Sequence, residues 1–220
     1  MARHSALLPH PPARPAAPRR PDTAQAQKSA ATRTRLIEAT IACLVRHGYA
    51  RTTTPLVAAE AGLSRGAMLH HFDTVQALIH ATIVELHEKR LRAFRRASES
   101  HAGNSPGMIR AYWQQLQKPG FIAFHELALA ARCDADLAAI LLPLQAEYQQ
   151  RQQELAARLY PEWQAVPGRL ALAMALSQTL MEGMATALLT GALEAALVPA
   201  LLAELETRLD GMRPAPEAAA

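Results

Sequence analysis

Arg65 carries the side chain with the most definite chemistry in this sequence. A guanidinium is planar and always charged, and its fork of donors matches the O6 and N7 acceptors of guanine. It lies in the run Thr53-Thr54-Pro55-Leu56-Val57-Ala58-Ala59-Glu60-Ala61-Gly62-Leu63-Ser64-Arg65-Gly66-Ala67-Met68-Leu69-His70-His71-Phe72, which reads as two short helices joined by a tight turn. Thr54 is expected to cap the first helix, with Pro55 in the first turn, where its missing N–H costs nothing. Gly62 ends that helix and Ser64 caps the next. Such a helix-turn-helix turns the first side chains of its second helix, Arg65 and Gly66, to a DNA major groove. Ala67 is sized for a thymine methyl. Two readings of Arg65 stay open, base recognition and phosphate contact alone, because many protein–DNA hydrogen bonds go to the backbone. Gly66 either lets the backbone approach DNA closely or is a tolerated glycine early in a helix. Met68 and Phe72 are expected to anchor the second helix on its supports.

The supporting elements follow from helical periodicity. Ile37, Ile41 and Leu44 form an apolar stripe before the motif, and Val75, Leu78, Ile79, Ile83 and Leu86 form another after it. The stretch from Thr32 to about Arg92 resembles the DNA-binding domain of the TetR/AcrR family of transcriptional regulators. The resemblance is carried by Thr53-Thr54, Val57-Ala58, Ala61-Gly62-Leu63-Ser64, Gly66 and His70-His71-Phe72. It implies DNA contact at Thr54, Pro55, Arg65, Gly66, Ala67, His70 and His71, with His70 nearer the base edges and His71 nearer phosphate. Two positions depart from the family's pattern: Leu69 stands where a tyrosine usually touches a phosphate, and Val75 where a lysine usually opens the fourth helix. Both departures remove an expected backbone contact.

The chain has 220 residues, half of them apolar, which is enough for one or two domains with a real core. Alanine and leucine abound, favouring helices over strands. Net charge is +4, unevenly divided: residues 1–96 hold 15 Lys and Arg against 6 Asp and Glu, and 97–220 hold 8 against 13. A basic amino-terminal part suits a polyanionic partner, although five of its cations lie in a tail. That tail, 1–31, is rich in Pro, Ala and Arg and is expected to be a disordered arm. Its Arg14, Arg19, Arg20 and Lys28 either follow DNA phosphates or belong to an idle tail. Cys43 and Cys133 match no metal or redox spacing. The amino terminus lacks the compact apolar core of a signal peptide, and Gln178 and Glu182 interrupt the apolar stretch 170–189, so neither secretion nor a membrane span is expected.

Further along, helices are expected from Thr74 to about Ser98, from the break at His101–Gly107 to just before Lys118, from Phe121 to Arg132, from Asp134 to about Tyr160, from Pro167-Gly168, and from near Pro199. The helix after Gly168 carries Leu170, Met174, Ser177, Met181, Met184 and Leu188 at steps of four and three, as a helix-packing seam does. In the resembled family the last two helices form the dimer as a four-helix bundle. That implication places Met174, Ser177, Met181, Met184, Leu188, Leu201 and Leu205 at a homodimer interface; intrachain core fits the same periodicity. The resemblance also implies a pocket for a small-molecule effector, for which His87, Trp113, Phe121, Phe124, His125 and Met174 are the candidates.

No phosphate-cradling glycine loop, His-Glu-x-x-His, Gly-x-Ser-x-Gly or cysteine cluster occurs, so neither an enzyme nor a cofactor is expected. His125-Glu126 near Cys133-Asp134, and His80 with His87 one heptad apart, are too sparse to define a metal site. The expected protein is all-α with about nine helices: an arm (1–31), a three-helix helix-turn-helix domain (32–92), a ligand-binding and dimerisation domain (93–212) and a flexible tail (213–220). Its expected function is that of a cytoplasmic, homodimeric, sequence-specific repressor on a palindromic operator, released by a small molecule. The alternatives are an activator, or the same fold acting through protein partners or organising chromosomes.

Overall fold

The computed structural model describes residues 23–101 and 105–214. Among them there is no strand, and nine α-helices follow in chain order. They are α1 (Thr23–His47), α2 (Thr54–Glu60), α3 (Arg65–His71), α4 (Val75–Ser100), α5 (Ser105–Leu116), α6 (Pro119–Ala130), α7 (Ala135–Leu159), α8 (Arg169–Leu189) and α9 (Val198–Met212).

The first departure from the expected organisation is at the amino end. Helix α1 begins at Thr23, well inside the segment expected to be an arm, and Lys28 is an exposed residue on it. The run Ala-Gln-Ala-Gln-Lys-Ser-Ala-Ala consists mostly of good helix formers, and it extends a helix already anchored by Leu36 and Leu44. Arg14, Arg19 and Arg20 lie outside the described residues. At the other end Arg213 is half-buried and Pro214 buried, although both fall in the expected tail; residues 215–220 lie outside the described residues.

Three apolar clusters hold the helices. One lies inside the amino-terminal unit, where Leu36 and Cys43 of α1 meet Val57 of α2, Met68 of α3, Phe72 and Leu78. A second joins Ile41 and Leu44 of α1 and Ile79 and Ile83 of α4 to Leu127 of α6 and Leu141 of α7. The third joins α5 to α8 and α9 through Ile109, Met181, Met184 and Leu205. The expected boundary at residue 92 falls within the unbroken α4, and the second cluster is shared across it. A helix of 26 residues is about 39 Å long, so α4 runs from the recognition unit deep into the body.

Candidate DNA-binding surface and internal cavity

The turn between α2 and α3 is fixed by local chemistry. Gly62 sits at φ +62°, a left-handed conformation that costs a residue with a Cβ. The Leu63 N–H donates to the Ala58 carbonyl at 2.9 Å and the Gly62 N–H to the Ala59 carbonyl at 3.0 Å, which is the Schellman closure of a helix end. Ser64 then caps α3, its hydroxyl accepting from the Ala67 N–H at 3.1 Å. The cap expected from Thr54 is not made. Thr54 is the first helical residue and Thr53 the N-cap, with no side-chain bond, because Pro55 occupies the first turn and takes away a donor.

Residues four apart share a helix face, and α3 divides accordingly. Met68 and Phe72, 0% and 3% exposed, form its inner row, as expected. Arg65 and Leu69 form one outer row and Gly66 and His70 the next, all exposed; Ala67 and His71 lie half-buried at the flanks. Pro55 is exposed and Thr54 half-buried at the start of α2. The expected contact residues are therefore brought together at one end of the molecule, with Leu69 placing an apolar side chain, 38% exposed, in the middle of the polar row. Val75, equally exposed, opens α4, where the Thr74 hydroxyl accepts from the Ala77 N–H at 3.0 Å.

Arg33 positions the recognition helix through a contact that the sequence alone does not reveal. Its Nη1 donates to the His71 carbonyl at 2.6 Å and its guanidinium lies 4.1 Å from the Phe72 ring centroid, so α1 clamps the carboxyl end of α3. An Arg46–Glu60 ion pair likewise ties α1 to α2. The unit is also joined to the body outside α4, since the Tyr49 hydroxyl donates to Asp134 Oδ2 at 3.1 Å. Asp134 uses its other oxygen to cap α7, accepting from the Leu137 N–H at 2.9 Å.

Within the body, a cavity of about 140 Å³ lies among α4, α5, α7, α8 and α9. Phe94, Tyr112 and Trp163 give it aromatic walls, and Met174 and Met181 form part of its α8 side. A smaller space of about 50 Å³ between α4, α5 and α6 is bounded by Phe121 and Phe124. Of the six expected pocket residues only Met174 lines the larger space. His87 and Trp113 are correspondingly reassigned. His87 is buried in a stack, 4.6 Å from the Tyr148 ring and 5.3 Å from Phe124. Trp113 is half-buried against the α5–α8–α9 cluster. His125 packs its ring 4.0 Å from Phe121, with Nδ1 3.1 Å from the Phe121 carbonyl. Aromatic residues at helical spacing proved to be mostly core, the usual role of such side chains.

A polar cluster borders both spaces. Glu182 Oε1 accepts from Arg90 at 2.9 Å and from the Tyr112 hydroxyl at 2.9 Å, and Arg90 lies over the rings of Tyr148 and Phe124. Burial, with Glu182 alongside, pushes the Tyr112 phenol far up, so it remains a donor. Burial pushes His87 down to about 4, helped by the Arg90 charge, so its ring is neutral at pH 7.

The residues of the expected dimer seam divide between the chain's own core and its surface. Met181, Met184 and Leu205 are 1%, 4% and 2% exposed and pack in the chain's own core, with Met184 also bordering the groove between α8 and α9. Met174 and Ser177 face the cavity, and the Ser177 hydroxyl donates to the Ala173 carbonyl at 2.7 Å. Leu188 and Leu201 are half-buried. Helix α8 is apolar on its other side too, where Leu172 is 62% exposed and Leu176, Leu180 and Gly183 flank a groove with Leu201 of α9. By length and composition α8 is also the one helix among the described residues apolar enough to cross a membrane. Its inner face is protein core, and it holds Glu182 in the pair with Arg90 and Gln178 bonded to Gln152. Cys43 is buried and Cys133 exposed, both as free thiols.

Comparison with known proteins agrees with this geometry. Residues 36–82, spanning the second half of α1 to the first turns of α4, match the family described as bacterial regulatory proteins, tetR family. An uncharacterized HTH-type transcriptional regulator of Mycobacterium tuberculosis is 28% identical over 147 residues, 66% of this chain and 72% of that protein. The HTH-type transcriptional regulator TtgR of Pseudomonas putida is 37% identical over 102 residues, 46% of this chain and 45% of TtgR. In three dimensions the chain is similar to the multidrug binding protein EbrR complexed with imidazole. The TM-score is 0.59 at 24% identity, with 86% of this chain and 98% of EbrR covered, a likeness of fold. With the helix-turn-helix built as the matched motif requires and the outer rows of α3 exposed, the chain is a DNA-binding transcriptional regulator whose residues 36–82 are similar to the tetR family of bacterial regulatory proteins.

Proposed function

We propose that this regulator is a homodimeric repressor that binds a palindromic operator through paired α3 helices and releases it when a small molecule enters the α4–α9 cavity. The observation that carries this reading is the span of α4, which begins beside the recognition helix at Val75 and forms the cavity wall at Phe94. A ligand that shifts α4 would shift α3, and two recognition helices held in one dimer must keep the spacing of two half-sites. The coupling is reciprocal: operator DNA lowers ligand affinity by the factor by which ligand lowers DNA affinity. EbrR, of similar fold, is described as a multidrug binding protein and has been solved with imidazole and with malachite green, in keeping with a small-molecule effector.

For the dimer, the surface that fits is the outer face of α8 with α9: Leu172, Leu176, Leu180 and Gly183, continued by Leu197 and Leu201. Leu172 and Leu197 are exposed and Leu176, Leu180 and Leu201 half-buried; an apolar surface of this kind marks an association site, and covering it in a two-fold bundle also accounts for the apolar composition of α8 without a membrane. The base-reading residue is Arg65, supported by Gly66, Ala67 and His70, with Thr54, Pro55 and His71 toward phosphate. Such a protein works in the cytoplasm, beside the DNA it binds. Footprinting the purified protein across the DNA flanking its own coding region tests the reading. A discrete protected inverted repeat is expected, whereas dispersed occupancy without a preferred site would contradict it.

A further inference from the structure

The charge balance of the larger cavity and its free hydrogen-bonding groups restrict what it admits. Among the described residues Arg213 is the one permanent charge in the lining, and it is already engaged within the chain. Burial pushes the Tyr160 phenol of the same lining up, and Glu162 adds to that shift more strongly than Arg213 offsets it. Glu182 is held by Arg90 and Tyr112. The described lining therefore sets no uncompensated charge before a ligand, and an anion or a cation would give up its hydration without a counter-ion. A neutral guest is favoured.

Hydrogen bonding in the lining is less balanced. The Tyr112 hydroxyl donates to Glu182 Oε1 at 2.9 Å, the Ser177 hydroxyl donates to the Ala173 carbonyl at 2.7 Å, and His101 Nδ1 lies 3.0 Å from the Ala97 carbonyl, so these three are spent inside the chain. Gln152 of α7 and Gln178 of α8 differ. Gln178 Nε2 donates to Gln152 Oε1 at 2.8 Å, one bond between two amides that could make two. The Gln152 NH2 group and the Gln178 carbonyl are left over, and Gln152 is only 4% exposed. With both amides turned over, the same donor and acceptor remain. A leftover donor and acceptor on bonded neighbours in a buried wall are costly until something pairs with both. An amide does so, because its carbonyl accepts and its N–H donates along one edge. Size narrows the class further. A dry apolar cavity of about 150 Å³ accommodates benzene, and the space here is about 140 Å³. Aromatic and methionine walls favour a flat, polarisable ring.

From the leftover amide groups, the balanced charge and the volume, we infer that the larger cavity takes a neutral monocyclic aromatic carboxamide, its ring among Phe94, Tyr112 and Trp163 and its amide edge on Gln152 and Gln178. This ligand class rests on the effector reading and adds to it. Benzamide, acetophenone, benzoate and benzamidine have nearly one shape and differ in what they offer: donor with acceptor, acceptor alone, negative charge, positive charge. Calorimetric titration of each into the full-length protein compares them, and methyl NMR of Met174 and Met181 reports where they bind. Benzamide is expected to bind about fivefold or more tighter than acetophenone, which leaves one wall carbonyl unpaired, and about tenfold or more tighter than either ion. Replacing both amides together, Gln152→Met with Gln178→Met, should bring benzamide to within about twofold of acetophenone. Gln178→Glu, which sets a carboxylate beside the Gln152 amide, should put benzamidine ahead of benzamide, a test that holds even if the double variant folds poorly.

Equal binding of acetophenone and benzamide to the native protein would overturn the amide class, and benzoate or benzamidine binding as tightly as benzamide would overturn its neutrality. Failure of benzamide to shift Met174 and Met181 would overturn the site. The effector reading fails separately: benzamide that binds as expected but leaves affinity for the footprinted DNA unchanged keeps the ligand class of the cavity and removes its role in release.

Discussion

Replacement of His87 by phenylalanine isolates one buried titration whose size follows from the structure. His87 is 4% exposed, stacked on Tyr148 and flanked by Phe124. The charged groups around it are Arg90, Arg151 and Glu88, with Gln145 as its polar neighbour. Desolvation leads, and the folded-state value falls from 6.5 to about 4. Because the folded pKa lies below the unfolded one, the unfolded chain takes up the proton first as pH drops. The stability that the neutral ring confers is therefore complete above about pH 6.5 and is lost progressively between 6.5 and 4. At 1.36 kcal/mol per pKa unit the full loss is about 3 kcal/mol, an upper bound. Denaturant unfolding of both proteins at pH 7.5, 6.0, 5.0 and 4.5, at one protein concentration so that association cancels, gives the difference directly. The native protein should lose up to about 3 kcal/mol more than His87→Phe across this range, since all other titrating groups are shared. A difference that stays constant with pH would refute the assignment of His87 as a buried neutral ring.

Three further outcomes are expected. Arg33→Met removes the bond to the His71 carbonyl and the contact with Phe72, and should cost about 1–2 kcal/mol in stability with a parallel loss of operator affinity, measured by urea unfolding and DNA titration; unchanged affinity would separate the clamp from DNA binding. Val75→Lys adds a cation where α4 begins and should tighten binding to all sequences alike, steepening the salt dependence by about one unit; a flat response would place Val75 away from DNA. Leu176→Glu, on the outer face of α8, should give a folded monomer in sedimentation, whereas Met181→Glu should unfold the chain because it buries an unpaired carboxylate; a folded dimer for Leu176→Glu would remove that face from the interface.

The recognition unit was legible because its signals are local. Pro55, Gly62 and Ser64 each act within four residues of their own position, and the sequence shows all three. Arg33 was not legible, because its partner His71 is 38 residues away and only tertiary packing brings them together. Helix α8 misled for a different reason. It is apolar on both sides, so the four-and-three spacing of Met174 to Leu188 marks a buried face without saying whether its own chain or a second copy covers it. Leu172, Leu176 and Leu180 lie on the opposite side at the same period. The cavity residues were obscured similarly: Phe94, Gln152 and Arg213 come from three separate helices or their ends, and no periodicity links them. The helical amino-terminal extension from Thr23 escaped because an alanine–glutamine run next to a proline-rich segment looks like composition rather than structure.

The most direct test of the account is the binding of Arg65→Ala to the footprinted operator and to single-base variants of each half-site. Arg65 is exposed at the start of a capped α3, and its loss leaves Met68 and Phe72 to hold the helix in place. The expected result is a loss of about 1–3 kcal/mol on the operator with relaxed preference at one base pair per half-site, because a forked donor to guanine is gone. An equal loss on every sequence, with the base preference intact and the salt slope lower by about one, would contradict it and make Arg65 a phosphate contact.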